Sequence, residues 1–269
     1  MKKEKDIKIG ILGTGVMGSQ IALLFARNGF TVTVWDIKDK ESIGVGLKRL
    51  DSDTKNRIHI VTNLTEISHV DFIEECLPED LEVKKEVLNT LKNVIDEKTV
   101  VATNTSSLSV QELSKSAPYP ESFVGIHFFN PVDSIRIVEV VFFQGTSIVN
   151  RELVNKLLEI TNRKVIYVAD SPGFIVNRLL IPMINDAANL LNENVATAKE
   201  IDNAMKLGAK HPMGPLALVD FIGLDICLSI MKNLNAQTDK DYYKISPLLE
   251  RLVKNGYMGR KTKKGFYEY

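Results

Sequence analysis

The chain has 269 residues, with 34 basic and 34 acidic side chains and no formal net charge at pH 7. That length allows one large domain or two ordinary ones, and it buries a core without metal or disulfide staples. With 44% hydrophobic and 25% charged residues the composition is ordinary for a globular protein, and the balanced charge argues against a general nucleic-acid binder.

Taken in chain order, a polar start runs into the apolar stretch Ile7–Leu12, which is followed by Gly13, Gly15 and Gly18. That reads as a strand and a turn rather than a signal-peptide core. No uninterrupted apolar stretch approaches the roughly 20 residues of a membrane span, so no membrane contact is expected. Cys76 and Cys227 lie in separate apolar segments without metal-ligand spacing. They read as buried hydrophobes of a reducing compartment, and the expected location is the cytoplasm.

Residues 20–28 carry helical periodicity through Ile21, Leu24 and Phe25; Gly29 ends the helix, and the β-branched run Thr31–Trp35 predicts a strand closed by Asp36. Ile43, Leu47 and Leu50 line one face of a short helix. Further strands are predicted at residues 57–61, 70–76, 99–103 and 123–129, with a helix over 82–94. Alternating strands and helices predict an α/β, Rossmann-type doubly wound parallel sheet. After Ser171-Pro172-Gly173 the pattern turns helical, over 174–191, 197–207, 215–234 and 247–255. The expected division is therefore a nucleotide-binding domain over 1–171 and an all-helical domain over 172–269.

The turn Gly13-Thr14-Gly15-Val16-Met17-Gly18 fits G-x-G-x-x-G, and its setting matters more than its letters: it follows a strand, opens a helix and precedes Asp36 by about 20 residues. Gly13 permits the turn, Gly15 lets a pyrophosphate approach, and Gly18 lets the helix pack on the strand. Val16 and Met17 open the helix, whose free N–H groups suit phosphate. A carboxylate at Asp36 accepts hydrogen bonds from a ribose diol and repels a 2′-phosphate, which favours NAD; Lys38 and Lys40 soften that rule.

Of the four histidines, His127 ends a buried strand in Gly125-Ile126-His127-Phe128-Phe129-Asn130-Pro131. Ligands bind at such strand ends in open α/β sheets. Glu139 stands alone among apolar residues in Ile137-Val138-Glu139-Val140-Val141, and a carboxylate there needs a partner because burying it unpaired is costly. An imidazole oriented by a carboxylate is a general base.

With these motifs go Asn104-Thr105-Ser106-Ser107, Pro172-Gly173-Phe174-Ile175-Val176-Asn177-Arg178, Gly214-Pro215, and Gly259-Arg260-Lys261-Thr262 followed by Gly265-Phe266-Tyr267. In this order, over almost the whole chain, they resemble the L-3-hydroxyacyl-CoA dehydrogenases, including the bacterial 3-hydroxybutyryl-CoA dehydrogenases. The resemblance implies a dehydrogenase acting on a short-chain 3-hydroxyacyl thioester with NAD. It implies His127 as general base, Glu139 as its partner, Ser106 as a hydroxyl on the reacting oxygen and Asn177 as a substrate-holding amide. On the cofactor side it implies Asp36 at the ribose, Glu79 and Lys84 beside the nicotinamide half, and Asn104 in the same loop. The residues alone leave plainer roles open: Ser106 could cap the following helix, and Glu79 with Lys84 could be a helix-start pair on a solvated face.

The chain departs from that family in one place. Its members insert a long helical hairpin after the second strand that grips coenzyme A, whereas residues 37–56 leave room for one ordinary helix. Two substrates follow: a coenzyme A thioester held more weakly, or an acyl-carrier-protein thioester of extender-unit or polyketide biosynthesis. The first predicted helix of the second half is apolar nearly all round, so it should be buried against other helices or a second subunit, and the resemblance implies a homodimer through this half. Two rivals share the scaffold. A non-catalytic NAD-binding protein would lack the chemical residues, and a β-hydroxyacid dehydrogenase would rely on a helical-domain lysine.

Overall fold

Strands that are buried on both faces need no polar alternation, and here the runs KIGIL, FIEE, VVAT and FVGIHF are almost wholly buried. The computed structural model describes residues 6–37, 52–238 and 243–269. The expected helix through Ile43, Leu47 and Leu50, together with Lys38 and Lys40, lies outside the described residues. The chain forms two compact units, Met1–Ser171 and Pro172–Tyr269.

In the first unit the order is β1 Lys8–Leu12, α1 Val16–Arg27, β2 Thr31–Trp35, α2 Ser52–Asn56, β3 Ile58–Val61, β4 Phe72–Glu75, α3 Leu81–Leu91, β5 Val100–Thr103, α4 Val110–Ser114, β6 Phe123–Phe128, β7 Ile137–Val141, α5 Ile148–Ile160 and β8 Lys164–Tyr167. The described strands make one sheet in the order β3-β2-β1-β4-β5-β6-β7-β8. The direction of travel reverses at β1, which lies between β2 and β4. The crevice beyond the carboxyl ends of β1 and β4 is where doubly wound sheets bind ligands. One face of the sheet buries Ile9, Ile11, Phe72, Val100 and Ala102 together with Ile21 and Phe25 of α1 and Val154 and Leu157 of α5.

The sheet is not wholly parallel, as the sequence pattern implied. β6 and β7 pair antiparallel, and β8 then runs parallel to β7. The reason is chain length: the connection from Phe129 to Arg136 is too short for a crossover, which needs a dozen residues or more. This exception brings His127 directly opposite Glu139.

The second unit contains α6 Val176–Asn192, α7 Ala198–Gly208, α8 Pro215–Ile222, α9 Leu224–Thr238 and α10 Pro247–Lys254. Its core gathers Ile181, Ile184, Val219, Leu224, Cys227, Met231, Leu234 and Leu249. The single helix expected over 215–234 is in fact two. Gly223 adopts φ +113 between them, a conformation side chains resist and a helix cannot contain. Nor is the helix from residue 174 buried all round, for Leu179 is 71% and Leu190 41% exposed within the single chain. The C-terminal strap is fastened by two buried carboxylates. Asp220 accepts from the backbone N–H groups of Phe266 and Tyr267, and Asp202 accepts from Tyr267 Oη and caps α8 at Leu216 and Ala217.

Candidate active site

The glycine-rich turn divides its three tasks as nucleotide-binding chemistry requires. Gly13 has φ +94, and a Cβ there would lie 2.9 Å from the Cys76 carbonyl oxygen. A Cβ on Gly18 would fall 2.0 Å from the Gly13 carbonyl oxygen, so only glycine lets α1 sit this close to the loop. Gly15 meets nothing within 4 Å of a would-be Cβ; what it keeps clear is the approach to the helix N-terminus. Val16 is 67% exposed there, while Met17 packs on the core. Asp36 closes β2 and accepts from Thr14 N (2.8 Å) and Thr14 Oγ1, so the acid is tied to the loop it serves. An open cradle, a helix N-terminus without an acidic first turn and a carboxylate at the end of β2 suit a dinucleotide with a free ribose diol.

On the sheet face covered by α3 and α4, cross-strand pairing assembles the second group. Residues directly opposite in an antiparallel pair share a face with Cβ atoms about 5 Å apart, which puts the His127 ring against the Glu139 carboxylate. Nδ1 lies 2.8 Å from Oε2, with His127 7% and Glu139 1% exposed. The Phe129 ring lies 4.4 Å from the imidazole, centroid to centroid. Gly125, two residues before His127 on the same face, admits Val110 of α4; a Cβ there would lie 2.7 Å from its methyl.

Ser106 belongs to a loop held by one carboxylate oxygen. Glu79 Oε1 accepts from Thr105 Oγ1, Ser106 N and Oγ, and Ser107 N and Oγ, at 2.8–3.2 Å. Desolvation works against ionisation of Glu79, but the charge of Lys84 and these hydrogen bonds outweigh it and hold the carboxyl below the usual carboxylate range. The capping reading of Ser106 does not hold: Ser109 Oγ caps α4 at Glu112, and Asp170 accepts from Ser109, Val110 and Gln111 beside it.

Lys84 is not on a solvated face and does not pair with Glu79. It is fully buried, and its Nζ donates to both oxygens of Glu75 at 2.7 and 2.9 Å and to the Asn104 carbonyl at 3.2 Å. Glu75, also fully buried, accepts further from Leu77 N and Thr103 Oγ1. Sequence reasoning missed Glu75, although two adjacent acids in the buried strand FIEE, nine residues before a lysine, were its signal. Asn104 Oδ1 accepts from Phe128 N at 3.0 Å. Asn177 stands in the first turn of α6 in the second unit, 9% exposed.

Two more residues escaped the sequence reading. Gln20 of α1 donates to Asn130 Oδ1 and accepts from Val132 N, and buried Arg163 donates to the carbonyls of Val132 and Ile135. The loop after His127 is thereby fixed from both sides. No group of His, Cys, Asp and Glu among the described residues could hold a metal ion.

Comparison with known proteins agrees with this geometry. A family model described as 3-hydroxyacyl-CoA dehydrogenase, NAD binding domain, matches residues 8–171, and one described as 3-hydroxyacyl-CoA dehydrogenase, C-terminal domain, matches residues 173–269. The chain is 40% identical to a 3-hydroxybutyryl-CoA dehydrogenase of Clostridioides difficile, over 98% of this chain and 99% of that protein. That comparison runs over 279 positions against 269 residues here, so the relative carries residues this chain lacks. A solved (S)-3-hydroxybutyryl-CoA dehydrogenase from Ralstonia eutropha superposes with a TM-score of 0.89 at 36% identity, covering 97% of this chain and 98% of that one.

Proposed function

The protein belongs to the 3-hydroxyacyl-CoA dehydrogenase family, and from that premise we propose that it interconverts the 3-hydroxyl and 3-keto groups of a short-chain acyl thioester with NAD. The observation that carries this reading is the buried His127–Glu139 pair on the sheet that also bears the glycine-rich turn.

The Gly13–Gly18 turn, the α1 N-terminus and Asp36 would hold NAD, which when bound would supply the hydride acceptor for oxidation at C3 and, as NADH, the hydride donor for reduction. His127 removes the hydroxyl proton in oxidation and returns it in reduction, acting through Nε2 because Nδ1 is held by Glu139. Glu139 keeps the ring in one orientation and stabilises the imidazolium that forms. Ser106 Oγ steadies the charge on the C3 oxygen. It does so by turning away from Glu79, which keeps four other donors and so loses little. The family resemblance gives Asn177, buried in the first turn of α6, a substrate-holding role.

The relatives named above point to a coenzyme A thioester. A carrier-protein thioester is the second reading, and the observation behind it is the short segment between Asp36 and β3. The exposed apolar residues of α6 fit a homodimer formed through the second unit, and a cytoplasmic location fits a chain in which no described helix is long and apolar enough to cross a membrane. The test is NADH oxidation with acetoacetyl-CoA and with the acetoacetyl carrier-protein thioester, with NADPH in parallel. The reading expects turnover on coenzyme A and preference for NADH. Faster turnover on the carrier thioester transfers the proposal to that substrate, and no turnover on either contradicts it.

A further inference from the structure

β6 outruns its neighbour. The register of β5 against β6 ends at Thr103 opposite Gly125, so residues 126–128, which include His127, continue beyond the last backbone pair on that side. Asn104 fills the place of the missing strand, with Oδ1 accepting the N–H of Phe128, the peptide that leaves His127. The orientation of the amide is fixed by chemistry, since a backbone N–H can be met only by the oxygen end.

Asn104 is itself anchored at two points. Its N–H donates to the Glu75 carbonyl at 2.7 Å, and its carbonyl accepts from Lys84 Nζ. Lys84 divides its donors among three acceptors and is fully buried. A cation with no exposed surface is a structural post, and here it braces the residue that braces His127. On the other side of His127, the register with Glu139 completes the hold.

We infer that Asn104, anchored by the buried Lys84–Glu75 pair, is a positioning residue for His127 that acts through its side-chain oxygen, rather than a contact to the cofactor. This rests on the proposed dehydrogenase reading for its kinetic consequence, but the geometry it asserts does not. A contact to the cofactor's carboxamide or ribose through the Asn104 amino group would need the donor end; positioning of His127 needs only the acceptor end. Asn104→Asp keeps the acceptor and removes the donor, whereas Asn104→Ala removes both.

The experiment measures kcat on the acetoacetyl thioester, NADH affinity by fluorescence, and the downfield proton resonance of the His127 Nδ1–H in wild type, Asn104→Ala and Asn104→Asp. A misplaced general base costs about 10–100-fold. The expected result is that loss in kcat for Asn104→Ala with NADH affinity within about threefold of wild type, a displaced or broadened His127 resonance, and recovery of most of the loss in Asn104→Asp. Equal loss in both variants with weakened NADH binding and an undisturbed His127 resonance overturns the inference. So does wild-type kcat in Asn104→Ala. If the wild type turns over no thioester, the dehydrogenase reading fails while the resonance still decides whether Asn104 positions His127; a resonance unchanged in Asn104→Ala then overturns it.

Discussion

Glu74 is the residue whose burial the chemistry does not use. It is fully buried on the α1 face of β4, and neither carboxyl oxygen has a hydrogen-bond partner among the described residues. Burial pushes its carboxyl well above the usual range; adjacent Glu75 adds to this, and Lys84 opposes it only in part. A carboxyl with a raised folded-state pKa binds its proton more tightly in the folded chain. Its contribution is therefore most favourable below the ordinary value of about 4.3 and is lost as pH rises toward the folded-state value. Glu74→Met keeps the length of the side chain and removes the unpaired polar atoms, whose cost is about 1–3 kcal/mol. Thermal denaturation at pH 5 and pH 8 should show the variant more stable at both, with the larger gain at pH 8. A variant less stable than wild type at pH 8 would contradict this. His127 and Glu139 were legible in the sequence because an isolated acid in an apolar run demands a partner. The pairing of Lys84 with Glu75 was not, because which acid meets which base depends on the face each strand residue presents, and Glu79 lay nearer in sequence.

Among elements, α1 and its loop are the most tightly specified. A Cβ on Gly18 would collide with backbone rather than with a side chain that could turn away, and overpacking of this kind costs about 1–3 kcal/mol. Gly18→Ala should lower the melting temperature and weaken NADH binding at least tenfold, measured by fluorescence titration. Gly15→Ala, whose added Cβ has no protein atom within 4 Å, should leave the melting temperature nearly unchanged and lose NADH affinity alone. Equal melting behaviour in the two variants would contradict the division of tasks. The G-x-G-x-x-G spacing announced this element, and most strands followed from apolar runs. The boundary at Gly223 escaped because apolar residues run on both sides of it, in PLALVDFI and in LDICLSIM. β8, whose Lys164 and Tyr167 are exposed and whose Val165 and Ile166 are half-buried, lacked the continuous apolar run by which the central strands were found.

For the whole molecule, the second unit leaves Leu179 and Leu190 of α6 and Leu207 of α7 exposed, and an apolar groove of about 460 Å³ between these helices is lined by Met183, Ala187, Leu190, Ala204 and Met205. Exposed apolar side chains and an apolar groove on one unit fit an interaction site, which the proposed homodimer would cover. Light scattering on the purified protein should give the mass of two chains, and Leu179→Glu with Leu190→Glu should give one; a monomeric wild type would contradict it. The partition of the chain into a βα half and a helical half was legible from the change of periodicity after Gly173, whereas the exposed side of α6 was not, because hydropathy alone does not separate a core face from an interface. The central claim, that His127 is the acid–base group of a thioester dehydrogenase, is tested most directly by NADH oxidation with acetoacetyl-CoA in wild type and His127→Ala. The account predicts a fall in kcat of about 10²–10⁴-fold with NADH affinity preserved. A variant that retains kcat within tenfold of an active wild type would contradict it.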